Sequence, residues 1–244
     1  MKTRALVVTM VVLAVSCAVA AELPTAEELK EKVVKAYATM TSFEADTRVT
    51  YQDVASGLSH LAMEKTTKGN KTVEKSSISC ENRDKDAAGN ETKEEVKTVD
   101  DGTFLWTEKR RAGVILVTKR SAEGHGKLSE FLALGMTANW KRDNLKITGE
   151  DTLDGQKMYV LEGTGTAATI NKEVMEHKVK IWVGQDDFIV HRQGYVIRLA
   201  GKEHPLVNTT DYLSVKVNQP VDPKLFEYTP PDGAKIDDQT KAKP

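Results

Sequence analysis

Five histidines, His60, His125, His177, His191 and His204, are the residues of this 244-residue sequence best suited to bind a metal or move a proton. They fall in unrelated segments, and a zinc site needs three or four convergent ligands. If the turn Gly184 to Asp187 pairs its flanking strands, His177 falls opposite Gly194 and His191 opposite Lys180, so these two do not meet. Gly124-His125-Gly126-Lys127 is a fragment of a phosphate-binding loop, but Leu128 stands where the magnesium-binding hydroxyl is required. It reads better as a loop ahead of a helix. Neither G-x-S-x-G nor H-E-x-x-H occurs. Asp186-Asp187 and Asp237-Asp238 sit in turn-like contexts where solvation explains them, and Asn70, Asn90 and Asn208 open glycosylation sequons. The expectation is a protein that is not an enzyme, with no metal and no cofactor.

The two cysteines cannot build a disulfide scaffold. Cys17 lies inside an export signal: Lys2 and Arg4 precede an apolar run from Ala5 to Val15, and Ala18-Val19-Ala20 offers small residues at alternate positions. Residues 1–20 therefore read as a secretory signal peptide, slightly short for a membrane-spanning helix. Ala14-Val15-Ser16 before Cys17 is a loose lipobox; if used, Cys17 is lipidated and tethers the mature chain, and if not, it is a small apolar residue of the signal. Simple cleavage removes Lys2 and Arg4, leaving 33 basic against 36 acidic residues and a net charge of −3. Such a balance excludes the basic surplus that nucleic-acid binding requires.

Around these few reactive groups the sequence lays out a β-rich frame. Thr25-Ala26-Glu27-Glu28 has the form of a capping box, and Leu29, Val33, Ala36, Tyr37 and Met40 follow at helical spacing. From Phe43 the period changes to two: Phe43, Ala45, Thr47, Val49 and Tyr51 alternate with polar residues, as do Leu61 and Met63. Val73 to Cys80 is a weaker strand, and Glu81 to Lys97 reads as a solvated hairpin tip. Asp101-Gly102 turns into Phe104-Leu105-Trp106, Lys109-Arg110-Arg111 is a short basic turn, and Val114 to Thr118 returns. Leu128 to Gly135 predicts a short second helix. Asp154-Gly155 turns into Met158 to Glu162, and later strands contain His177 to Val183, Phe188 to Arg192 and Leu213 to Val217. Roughly ten strands without a strand–helix–strand rhythm predict one curved antiparallel sheet with segregated helices. The domain covers residues 21–238, and residues 239–244 form a polar tail.

One stretch is more specific. Pro220-Val221-Asp222-Pro223 followed by Phe226-Glu227-Tyr228-Thr229-Pro230-Pro231-Asp232-Gly233 resembles the ending of periplasmic lipoprotein carriers of the LolA/LolB-like superfamily. Met40 to Ala45, Asp101-Gly102 with Leu105-Trp106, and the hairpin Lys178 to Val183, Gly184-Gln185-Asp186, Phe188-Ile189-Val190 resemble further landmarks in matching order. The resemblance implies a mainly β, half-open barrel of roughly ten or eleven strands, with an N-terminal helix and a short lid helix. Its apolar cavity would hold acyl chains. Candidate lining residues are Phe43, Val49, Tyr51, Leu61, Met63, Leu105, Trp106, Leu116, Phe131, Leu132, Ile181, Val183 and Leu213; ordinary core packing is the simpler reading of any one of them taken alone. The Arg-Pro step of the carriers is missing from Thr66 to Lys71, leaving Lys68 as the candidate gate charge.

The implied function is a periplasmic, exported, monomeric carrier of lipoprotein acyl chains or another lipid, membrane-tethered if Cys17 is lipidated. Its implied partners are the acylated cargo, an inner-membrane donor and an outer-membrane acceptor. The alternative is a lipid-sensing regulatory domain of the RseB type with an envelope partner.

Overall fold

The computed structural model describes residues 23–53, 58–69, 75–123, 144–168, 174–199 and 202–240. The expected signal segment with Cys17, the expected lid helix with Phe131 and Leu132, His125 and Asn70 lie outside them. The chain opens with α1 (Ala26–Ala38), followed by β1 (Ser42–Asp53), β2 (Leu58–Gly69), β3 (Lys75–Lys85), β4 (Glu91–Asp100), β5 (Phe104–Arg111) and β6 (Val114–Ser121). Then come β7 (Lys146–Leu153), β8 (Gln156–Ala168), β9 (Val174–Gly184), β10 (Val190–Leu199) and β11 (Lys202–Val217). A 3₁₀ turn (Pro223–Phe226) and β12 (Lys235–Asp238) close the described chain. All strands join one sheet in the order β12-β6-β5-β4-β3-β2-β1-β11-β10-β9-β8-β7, antiparallel except for β12 on β6. The edges β7 and β12 do not pair, so the curved sheet is a half-open barrel, as expected.

The capping box forms: Thr25 Oγ1 accepts from the Glu28 amide at 3.2 Å, and Glu28 Oε2 accepts from the Thr25 amide at 2.8 Å. The backbone bond from Thr25 and then its hydroxyl hold the Glu28 carboxyl below its ordinary value. Leu29, Val33 and Tyr37 are buried against Leu161, Val179, Ile181, Val183, Ile189 and Val190, with Met40, Tyr212, Val215 and Val217 at the margin. Tyr37 also accepts from the Val190 amide at 3.2 Å, satisfying a buried donor.

Two segments correct the sequence reading. Glu81 to Lys97 is not merely a solvated tip, because β3 and β4 run through it and turn only at Asp86 to Asn90. Its charges pair across the outside of the ladder: Glu81 meets Arg83 at 2.7 Å and Lys93 at 2.9 Å. Lys109-Arg110-Arg111 belongs to β5, and the turn falls one step later. There Ala112 and Gly113 take φ of 48° and 78°, both left-handed, as a two-residue hairpin turn requires.

Candidate functional site

Side chains paired across a β ladder share a face. We call the face that carries α1 inner and the other outer. Three inner rows cross the first half of the sheet. One runs Phe43, Lys68, Ser76, Asp100, Leu105, Arg120; the next Ala45, Thr66, Ile78, Thr98, Thr107, Thr118; the third Thr47, Glu64, Cys80, Val96, Lys109, Leu116. Outer rows are charged, for example Arg48, Met63, Glu81, Glu95, Arg110.

These rows divide the candidate lining residues. Phe43, Val49, Tyr51, Leu105, Leu116, Ile181 and Val183 are inner, as is Lys68. Leu61, Met63, Trp106 and Leu213 do not share a cavity with them. Leu61, Met63 and Trp106 are outer by register, and Leu213 lines an outer groove with Met63 and Lys65. Alternation fixes relative facing only within a strand, and a one-residue change of register inverts it between strands. The bulge between Asp46 and Thr47 is such a change. Phe43, Ile181 and Val183 are fully packed beneath or beside α1, where they are core. The sequence reading missed Ala62, Ile78 and Val96 on the inner face, because β3 and β4 carry so much charge outside; the alternation of Ile78 with Ser79 and of Val96 with Lys97 was the available signal.

Among the described residues, no side chain of β2 to β6 belongs to the core cluster around α1. The inner surface there nevertheless presents Ile78, Val96, Leu105 and threonine methyls, and Leu116 is 49% exposed. Glu64, Glu94 and Asp100 are acids on this surface, and Glu64 accepts from Thr66 Oγ1 at 2.5 Å. Burial, then the Glu64 charge, raise the Tyr212 hydroxyl, and burial, then Glu64 and Glu94, raise the Cys80 thiol.

The C-terminal motif serves architecture. Phe226 is buried, and the Tyr228 ring lies 5.3 Å from that of Trp106. The Tyr228 hydroxyl donates to Glu108 Oε2 at 2.7 Å, while Arg110 reaches Oε1 at 2.5 Å. Burial works against ionisation of Glu108, but these two donors outweigh it and hold the carboxyl below its ordinary value. Asp101-Gly102 is likewise a turn device: Asp101 accepts from the Thr103 and Phe104 amides at 2.8 and 2.7 Å and from the Trp106 indole at 3.3 Å.

Among the described residues, His60, His177 and His191 remain apart. His177 faces Ile197 and Lys180 faces Gly194, three positions from the expected register. Phe188, left-handed at φ 56°, lengthens the turn, and His191 is skipped by the ladder. His191 instead meets Asp187 Oδ2 at 2.8 Å, in a turn whose Gly184 leaves room for that carboxylate; a Cβ there would sit 2.1 Å from Asp187 Oδ1. His60 pairs with Asp84 at 2.6 Å. Among the described residues, no three His, Cys, Asp or Glu side chains converge to hold a metal, and no helix is long and apolar enough to cross a membrane.

No family model matches the chain. An uncharacterized protein of Methanocaldococcus jannaschii is 36% identical over 93 residues, which make up 38% of this chain and 23% of that protein. LprF from Mycobacterium bovis aligns at 16% identity with a TM-score of 0.48, covering 81% of this chain and 94% of LprF. The lipoprotein LppX of Mycobacterium tuberculosis aligns at 16% with a TM-score of 0.46, covering 81% and 97%. A LolA-superfamily protein from Nitrosomonas europaea aligns at 16% with a TM-score of 0.32, covering 84% and 99%. The open antiparallel sheet with an N-terminal helix is the architecture that the C-terminal motif led us to expect.

Proposed function

We propose that the chain is an exported, non-enzymatic lipid carrier whose inner face over β2 to β6 receives acyl chains of lipoproteins or of another lipid. One observation carries this reading: apolar side chains of the inner face continue past the strip that α1 covers, through Ile78, Val96 and Leu105 to the exposed Leu116, with Glu64, Asp100 and Lys109 interspersed among them. Each methylene withdrawn from water contributes about 0.8 kcal/mol, so contact with even four or five gives roughly 3–4 kcal/mol. Threonine methyls suit this use, while their hydroxyls bond locally or to water. Release then requires a competing acceptor or closure of the surface, since binding of this kind involves no bond cleavage. The expected export signal in residues 1–20 supports a periplasmic location, with an inner-membrane donor and an outer-membrane acceptor as partners.

The test is native mass spectrometry of protein purified from its own envelope, with lipid extraction, joined to uptake of an apolar fluorescent dye. Val96→Glu places a carboxylate on the inner surface and should weaken dye binding about tenfold or more. Lys65→Glu, on the outer face, should leave it unchanged. Undiminished uptake by Val96→Glu, with no co-purifying lipid, would refute the reading.

A further inference from the structure

The outer face of β7 to β11 carries a groove of about 940 Å³. Two cross-strand rows line it: Lys146, Glu162, Lys180, Gly194 and Thr209, then Thr164, Lys178, Val196 and Val207. Gly194 makes the notch. A Cβ built there would meet nothing nearer than the Asn208 carbonyl oxygen at 3.9 Å, so space does not demand glycine. Nor does the backbone, because Gly194 is not among the positive-φ glycines. The bulges of β10 lie between Val190 and Arg192 and between Ile197 and Arg198, so none falls on it. A glycine inside a strand loses packing and costs chain entropy; with a bulge, a positive φ and a steric clash excluded, close approach of another backbone is the use that fits an outward notch flanked by exposed lysines.

The chemistry around the notch indicates what approaches. Lys146 and Lys178 make no ion pair among the described residues, whereas Lys180 reaches Glu162 at 2.8 Å. Val207 is 39% exposed and gives the groove an apolar wall. Five strands at about 4.8 Å spacing span roughly 19 Å, the length of about six extended residues. We infer that this groove binds an extended acidic peptide segment of a partner protein, with its backbone at Gly194, its carboxylates toward Lys146 and Lys178, and a small apolar side chain against Val196 and Val207. A bilayer surface fits less well: a flat sheet of headgroups reaches the lysine rim but leaves the recess at Gly194 unused.

Fluorescence anisotropy with a labelled hexapeptide of alternating Glu and Leu tests this, against a Lys and Leu control. Binding of the acidic peptide alone is expected, weakening as salt rises. Gly194→Val, compatible with an extended strand, and Lys146→Glu with Lys178→Glu should each weaken it about tenfold or more. Circular dichroism verifies folding. Should the charge reversal fail to fold, Lys146→Ala with Lys178→Ala replaces it, with a loss of about threefold or more expected. Dye uptake at the inner face should be unchanged in all of them, which separates this site from the lipid reading. Absent peptide binding, equal binding by the Gly194→Val protein, or adsorption only to phosphatidylglycerol vesicles would each overturn the inference.

Discussion

Tyr228→Phe isolates the lock that holds the C-terminal strap to the sheet. The substitution keeps the ring against Trp106 and removes only the hydroxyl that donates to Glu108 at 2.7 Å. Glu108 is buried, with 7% of its side chain exposed, so water does not readily replace that donor. Hydrogen bonds to charged groups contribute about 1.5–3 kcal/mol, and we expect a loss near 2 kcal/mol at neutral pH. For a domain of this size each kcal/mol lowers Tm by about 2–4 °C, giving a drop of about 4–8 °C. The pH dependence is the sharper part. Burial alone would raise the Glu108 pKa, but Tyr228 and Arg110 outweigh it, so the folded value lies below the unfolded one. Stability from a depressed carboxylate is fully present above its unfolded pKa and disappears as pH falls through its folded pKa. Wild type and variant should therefore differ at pH 7 and converge through the acidic range. Urea denaturation followed by circular dichroism at several pH values measures both. An unchanged gap down to the acid limit of folding would refute the charged-acceptor argument, and a variant as stable as wild type would refute the lock.

Two further outcomes test the packing of α1. Tyr37→Phe leaves the buried Val190 amide without its acceptor and should cost about 1–3 kcal/mol, read as a shift in urea midpoint with m unchanged. Leu29→Ala, at a fully buried position, should cost about 2–5 kcal/mol, whereas a cost near zero would mean that α1 does not dock as described.

The legible parts of this fold were those written in local chemistry. The Thr25 capping box and the Leu29, Val33, Tyr37 stripe gave α1 because both arise within a few residues of each other. Asp154-Gly155 marked its hairpin because a two-residue turn needs two left-handed residues, here φ 50° and 82°. Facing was not legible in this way. Val49 and Met63 each alternate cleanly within a strand, yet they point to opposite sides, since Met63 pairs with Arg48 and Val49 with Ala62. Only the inter-strand register distinguishes those cases, and register is settled by turn lengths and bulges distributed along the sheet.

The same reasoning explains why the most specific motif said little about chemistry. Phe226, Tyr228 and their partners Trp106 and Glu108 meet across roughly half the chain, on the face opposite α1, and fix how β12 comes to lie on β6. Such contacts admit few replacements because a ring, a hydroxyl and a buried carboxylate must fit together. A surface for acyl chains is less demanding: Ile78, Val96 and Leu105 need only be apolar and of roughly suitable size. A carrier of this design would therefore write its frame into the sequence more plainly than its cargo. The cargo is better sought by changing the apolar part of the inner face, which is the reason for placing a further carboxylate at Val96, between Cys80 and Lys109, and leaving the strap intact.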